Sequence, residues 1–482
     1  MKEIRIRNYY IRFLLGLALI VQGCSTTSRS NSATNTDKVP VQGLFAIRDV
    51  TVIPMTPENK IIEHATVLVK GNKIAAINGA IPDSAEMIDG KGKWLIPGLI
   101  DMHVHNLAAI NFGTNYPTKG ASFFMNDQDF MLLYVANGVT TAFELSGRAE
   151  HFGQRNEIRS GAVIGPRIAL AALIDGGNGS GMIANTPADG RQIVRVAKGM
   201  GYEFIKVYSS LDIETYRAIV DEAKKQSMKV VGHIPNAFKG RLEEAFVPNF
   251  DLVAHAEEYA KQTDDFSDRD ARRFARLAQK NGTWLSPTLI TMVRIAQQAR
   301  TLDSIRSLKY LSYVHPLVQS KWLTSNQYNR NTSADRVAYF EKLNAFHIRL
   351  VKAFKEAQVP IVAGTDAGTS GVVWGYSLHD ELELLVKAGL TPAEALAAAT
   401  RLPAAWLQIS DKTGTIEEGK FADLVLLDAN PMIDIRNTRS ISGAFFDGRW
   451  IKKEQINRML SVLAEKNKSD SGKYEWSERN KN

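Results

Sequence analysis

The chain has a single cysteine in 482 residues, Cys24, so no intrachain disulfide can staple the fold. It has no apolar run of comfortable bilayer-spanning length: FLLGLALIV, residues 13–21, is too short, and no later segment is long and apolar enough to make a transmembrane helix. No block of Lys and Arg interleaved with aromatics occurs, which removes the electrostatic footprint of a nucleic-acid groove. Histidine is scarce, nine in all. The net charge is +8, but residues 1–23 contribute four basic residues and one acidic, so about +5 remains on the body. A solvated basic surface accounts for that excess. With 44% hydrophobic and 23% charged residues the chain is globular, and its length suits two or three domains around a large core.

The first 24 residues do not belong to the fold. MKEIRIRNYYIR is basic, the short apolar run follows, and then comes VQGC, residues 21–24. This resembles the bacterial lipobox, with Val21 and Gln22 departing from the commoner residues. The resemblance implies a signal peptide over 1–24, cleavage before Cys24, and lipid attachment at the Cys24 thiol. Residues 25–43, beginning STTSRSNSATNTDK, form a polar tether. Ser25 in place of Asp favours, by resemblance to Gram-negative sorting, an exported protein held at the outer membrane and facing the periplasm.

Residues 44–96 read as short β-strands with Gly and Asn turn signals, among them GNK at 71–73. From 97 to 409, short apolar runs alternate with amphipathic stretches such as DIETYRAIVDEAKKQ and DRDARRFARLAQKNG. Buried strands alternating with helices imply parallel βα units. Eight such runs predict an α/β fold, a (β/α)8 TIM barrel, over 97–409. Strands return over 410–460 and are expected to pair with 44–96, giving a small β-sandwich domain built from both chain ends. Residues 461–482 read as a flexible tail, and 292–345 as a lid or outer insertion.

The stretch WLIPGLIDMHVH, 94–105, places His103 and His105 two residues apart at a strand end. On a strand, residues i and i+2 share a face, so two imidazoles aim into one space. That suits a divalent transition metal. Other strand ends in the same barrel carry Lys206, His233, His255 and Asp366, and the C-terminal strand ends of such a barrel line its active site.

PGLIDMHVH, GVTT, FIKVY, GHIP, AHAEEY, AGTDAG and GTIEEGKFADLVLLDANP follow one another in an order that resembles the amidohydrolase superfamily. Within it the chain is most similar to the imidazolonepropionase-like and Xaa-Pro dipeptidase-like branch. The resemblance implies two divalent metal ions, Zn2+ by preference, on His103, His105, Lys206, His233, His255 and Asp366. Lys206 would carry a CO2-derived carbamate, since a bare ammonium has no lone pair to offer. A metal-bound hydroxide would attack a carbonyl carbon, and Asp366 would pass the proton to the leaving nitrogen. The implied substrate is a small molecule or short peptide: a dipeptide, Xaa-Pro, or an N-acyl or N-aroyl amino acid. A homo-oligomer is the family's habit. Two other readings use the same residues: a lactonase, esterase or phosphotriesterase, and a mononuclear cyclic-amide hydrolase with Lys206 unmodified.

Tyr208 shares a face with Lys206 and is a candidate substrate contact. Trp374 and Tyr376 follow the eighth strand and are candidates for a pocket wall. His379 follows them near the barrel mouth. Where many relatives have an Arg-Asp pair after GVTT, this chain reads AFEL with Glu144, so no single relative's substrate transfers directly.

Overall fold

The alternating apolar residues that begin at Gly43 form a first sheet: β1 (Gly43–Val52), β2 (Ile62–Gly71), β3 (Lys73–Ile77), β4 (Glu86–Asp89) and β5 (Trp94–Pro97). A computed structural model describes residues 42–107, 126–330 and 332–477. The signal peptide, Cys24 and nearly all of the tether lie outside the described residues. Gly71, at φ +59°, makes the tight β2–β3 turn that GNK predicts.

The barrel follows in β6 (Leu99–Val104), β7 (Val139–Glu144), β8 (Arg167–Asp175), the two-residue β9 (Met182–Ile183), β10 (Phe204–Val207), β11 (Lys229–Gly232), β12 (Phe250–Ala254) and β13 (Trp284–Ser286). The hydrogen-bonded order is β6-β7-β8-β10-β11-β12-β13, with β9 beside β8. Every neighbouring pair is parallel. The eighth stave, residues 360–367, closes the ring through single bridges, Leu285 to Ile361 and Val104 to Ala367. Pro360 has no N–H to donate, and Asp366 turns to φ +57°, so this stave pairs without forming a regular ladder. The expected eight-stranded parallel barrel is what the chain forms.

Strands β14 (Leu424–Leu427), β15 (Ile441–Phe446) and β16 (Arg449–Lys452) return to the first sheet, where β14 pairs antiparallel with β5. The full order is β16-β15-β14-β5-β1-β2-β3, with β4 on β1. The sheet curls on itself: Lys73 bridges Phe421, and Gly448 N–H donates to the Ala422 carbonyl. Its flanks thereby enclose one core of Phe45, Val67, Leu424, Phe445 and Trp450.

The outer helices form where the amphipathic stretches predict them. Asp212 caps Ile213–Lys225 by accepting from Thr215 N–H at 2.7 Å. In Asp268–Asn281, Ala271, Phe274, Ala275 and Ala278 make the buried stripe, and Gly282 ends the helix at φ +67°. The inserted region holds the helices Leu289–Arg300, Pro316–Thr324 and Ala334–Glu356.

The chain end departs from expectation. A helix runs from Lys453 to Asp470, so residues 461–470 are ordered structure and not a flexible tail. Ile456, Leu460, Leu463 and Asn467 form its buried face, and Asn467 Nδ2 donates to the Ser312 carbonyl at 2.9 Å. The charged outer face (KEQ, EKNK) hides that stripe from a composition-based reading. Truncation after residue 460 is expected to lower the unfolding free energy, by about 1.5–3 kcal/mol for Leu463 alone, and with it the denaturant midpoint. An unchanged midpoint would return these residues to the status of a tail.

Candidate metal centre

Barrel closure brings the predicted residues together. Asp366 N–H donates to the His103 carbonyl at 2.8 Å, and His105 N–H to the Ala367 carbonyl at 2.8 Å. This registers the last stave against the first. Asp366 Oδ1 then lies 3.2 Å from His103 Nε2 and 3.2 Å from His105 Nε2. One donor atom from each of the three lies within 4.8 Å of the others. Ligands about 2.1 Å from a tetrahedral ion are roughly 3.4 Å apart, so this spacing fits a common cation.

Lys206, 1% exposed, extends from β10 to the same point, with Nζ 3.2 Å from His103 Nε2. Beyond it the His255 ring lies 4.6 Å from the His103 ring, and the His233 ring 4.9 Å from that of His255. All six predicted residues are therefore neighbours. The three-donor group is His103, His105 and Asp366, while His233 and His255 form a flank joined to it through Lys206 and the His103 ring. Among the described residues, His233 Nε2 is a buried atom without a hydrogen-bond partner. An orphan imidazole nitrogen in a buried cluster fits a metal position.

Burial lowers the pKa of His103, His233 and His255, which keeps these imidazoles neutral with a lone pair free. Burial acts the same way on His105, but its hydrogen bonds to Asp366 and Glu144 outweigh it and raise the pKa. Burial would raise Asp366, yet the His105 hydrogen bond and the surrounding histidine and lysine charges hold it below the usual carboxylate range. Burial brings Lys206 down to about 8, the carboxylates of Asp366, Glu144 and Glu258 limiting the fall.

Three partners hold the histidines, and of these only Glu144 stands at a strand end. Glu144 Oε1 lies 3.4 Å from His105 Nδ1, Glu258 Oε1 lies 2.8 Å from His233 Nδ1, and Thr288 Oγ1 lies 2.8 Å from His255 Nδ1. Glu258 is visible in AHAEEY, three residues after His255, but only the fold turns it back onto His233. Thr288 has no local signal at all. Asp366, His255 and Thr288 adopt φ of +57°, +79° and +48°, a strained backbone region for non-glycine residues that clusters at functional sites.

The candidate substrate residues separate. Tyr208 packs on His233 with ring centroids 4.1 Å apart, beside the cluster as expected. Trp374 is fully buried, and its Nε1 donates to the His105 carbonyl at 3.0 Å, so it props the ligand backbone instead of lining a substrate wall. Tyr376 stacks on Tyr310 at 4.4 Å and lines a different cavity, none of whose lining residues belongs to the cluster. His379 is buried and bonded through Nδ1 to Thr438 Oγ1 at 2.8 Å, a packing position. Both follow the eighth strand in sequence, but the helix Tyr376–Lys387 carries them away from the cluster. The cavity that adjoins His105, about 290 Å³, is instead lined by the inserted residues Trp322, Asn326 and Tyr328 together with Thr369. The insertion is pinned in place: Asn326 Nδ2 donates to Gln298 Oε1 at 2.7 Å and to Ser370 Oγ at 3.0 Å.

The amidohydrolase family profile matches residues 94–451. The chain belongs to the amidohydrolase family. As an amidohydrolase it is a hydrolase acting on C–N bonds. It is 25% identical over 390 residues to the imidazolonepropionase of Thermoplasma volcanium, covering 78% of this chain and 86% of that protein. A solved Xaa-Pro dipeptidase with bound methionine shares the fold, with TM-score 0.64 and 23% identity over 85% of this amidohydrolase and 100% of that chain. The bottromycin amidohydrolase AH matches with TM-score 0.68 and 20% identity over 88% and 90%.

His379→Asn is expected to cost about 1–2 kcal/mol in a denaturant melt, the scale of one buried hydrogen bond, and to leave metal content at the wild-type value. Loss of metal in elemental analysis would overturn this packing role.

Proposed function

We propose that this amidohydrolase cleaves the C–N amide bond of a small substrate, a dipeptide, Xaa-Pro, or an N-acyl or N-aroyl amino acid, using two divalent ions, zinc by chemistry. His103, His105 and Asp366 would hold one, His233 and His255 the other, and a carbamate on Lys206 would bridge them. The observation that carries this reading is the convergence of the His103, His105 and Asp366 donors with the buried Lys206 amine 3.2 Å from His103. The unpartnered, buried His233 Nε2 supports a second ion. The Xaa-Pro dipeptidase likeness supports the substrate class, and a cavity of about 290 Å³ beside His105 suits one small residue.

Bound divalent metal supplies Lewis acidity toward a carbonyl and makes water a nucleophile near neutral pH. The chain's own residues then set direction. Thr369 Oγ1 donates to Asp366 Oδ2 at 3.0 Å and fixes the carboxylate plane. In that orientation Asp366 accepts the proton of the attacking water and delivers it to the leaving nitrogen. Tyr208, packed at 4.1 Å on the His233 ring, would contact the substrate. Export and lipid attachment at Cys24, with outer-membrane residence, belong to the same proposal and rest on the leader residues.

Elemental analysis of wild type and Lys206→Ala tests the centre. Near two metals per chain, falling sharply in the variant, is expected; about one in both proteins would overturn the bridged centre in favour of a mononuclear site. A panel of amides, lactones and phosphotriesters tests the bond. Amide turnover far below that of the esters would sink the amidase assignment.

A further inference from the structure

His233 and His105 are held by two separate buried glutamates. Glu258 is 0% exposed, and its carboxylate takes Ile234 N–H at 3.1 Å, Lys261 Nζ at 2.7 Å and His233 Nδ1 at 2.8 Å. An acceptor so fully engaged requires the imidazole hydrogen on Nδ1, which leaves the Nε2 lone pair directed into the cluster. Glu144, also 0% exposed, takes Asn106 N–H at 2.5 Å and Ser146 N–H at 2.7 Å and faces His105 Nδ1 at 3.4 Å. His105 Nε2 is thereby turned to Asp366. His151 reinforces this side. Its Nδ1 accepts from Arg148 N–H at 3.1 Å, so its Nε2 carries the hydrogen and donates to the Asn106 carbonyl at 3.2 Å.

The two glutamates share none of these partners. Glu144 engages His105 and the two backbone groups beside it, at the end of β7. Glu258 engages His233, Ile234 and Lys261, in the turn after β12. The other two histidines have no anionic partner at Nδ1: His255 meets the Thr288 hydroxyl, and His103 Nδ1 meets none among the described residues. A dication held by neutral imidazoles in a buried site calls for nearby anions. A carboxylate on the far nitrogen raises ligand basicity and fixes the tautomer.

We infer that Glu144 and Glu258 are positioning residues that divide the centre, Glu144 securing the ion on His103, His105 and Asp366, and Glu258 securing the ion on His233 and His255. This rests on the two-ion reading of the preceding section. Each glutamate therefore acts chiefly on one ion's affinity, and only a smaller effect passes to the other through the shared Lys206.

Metal content and affinity by chelator competition, on full-length Glu258→Gln and Glu144→Gln, test the assignment without any substrate. Wild type is expected to hold two ions. Glu258→Gln should bind one ion roughly 10–100-fold more weakly, the scale of such outer partners, and change the affinity of the other by a clearly smaller factor. Glu144→Gln should weaken the opposite ion, so that the double variant loses both. Glu258→Asp, which keeps the charge, should recover part of the loss, whereas a merely structural role would not distinguish Asp from Gln at equal thermal stability. Two ions at unchanged affinity in a folded Glu258→Gln overturns the inference. So does equal weakening of both ions by either variant. If wild type holds only one ion, the two-ion reading fails by itself. The inference then survives only if Glu144→Gln weakens that ion and Glu258→Gln does not.

Discussion

The centre depends on how the first and last staves of the barrel meet. His103 and Asp366 are 263 positions apart in the chain. Two backbone hydrogen bonds, Asp366 N–H to His103 and His105 N–H to Ala367, fix their relative height. A slip of one residue in that register would turn Asp366 away from both imidazoles, because side chains alternate faces along a stave. Asp101 strengthens the same seam from below, accepting from Thr365 N–H at 3.0 Å and Thr365 Oγ1 at 2.7 Å. Burial raises the Asp101 carboxyl to about 7, so a group that is poor at staying charged there is kept for its hydrogen bonds.

Around this seam the chain spends its buried polar groups on orientation. Glu381, buried midway along the helix Tyr376–Lys387 and raised to about 8 by desolvation, accepts from Leu289 and Ile290 N–H at 3.0 and 2.8 Å. It thereby anchors the helix that follows Thr288, whose hydroxyl holds His255. Glu258, pulled down to about 2 where His233 and Lys261 outweigh its burial, remains an anion. Similar carboxylates thus take opposite roles because one faces backbone amides alone and the other faces an imidazole and an ammonium.

The inserted region acts as a wall. Trp322 lies parallel to Trp374 with centroids 6.4 Å apart, and Trp374 is bonded to the His105 carbonyl. Together with the Asn326–Gln298–Ser370 network, this couples the cavity beside His105 to the backbone of that histidine. The cavity beside His105 is therefore walled by residues far in sequence from the cluster, as is common where loops shape the mouth of a shared scaffold.

Periodicity in the chain was enough to predict the barrel, the sheet shared by both ends, and the residues at the strand ends. The reason is local: strand alternation puts His103 and His105 on one face, and apolar runs mark each stave. It was not enough for the far nitrogen of each histidine. Glu258 and Thr288 reach their partners across strands, and nothing in local spacing encodes that reach. Nor did position after the eighth strand place Tyr376 and His379, since the direction of one helix decides which side of the barrel they face. The ordered helix to Asp470 escaped for a related cause: its apolar stripe is thin, and only the surface it packs against makes it a core face. Residue type and spacing by themselves determined the scaffold and placed six candidate donors at its strand ends, and the family resemblance supplied their roles. Tertiary structure alone decided the register that makes the donors converge, the glutamates that orient them, and the wall that shapes the cavity, because each of these is a contact between segments that the chain keeps far apart.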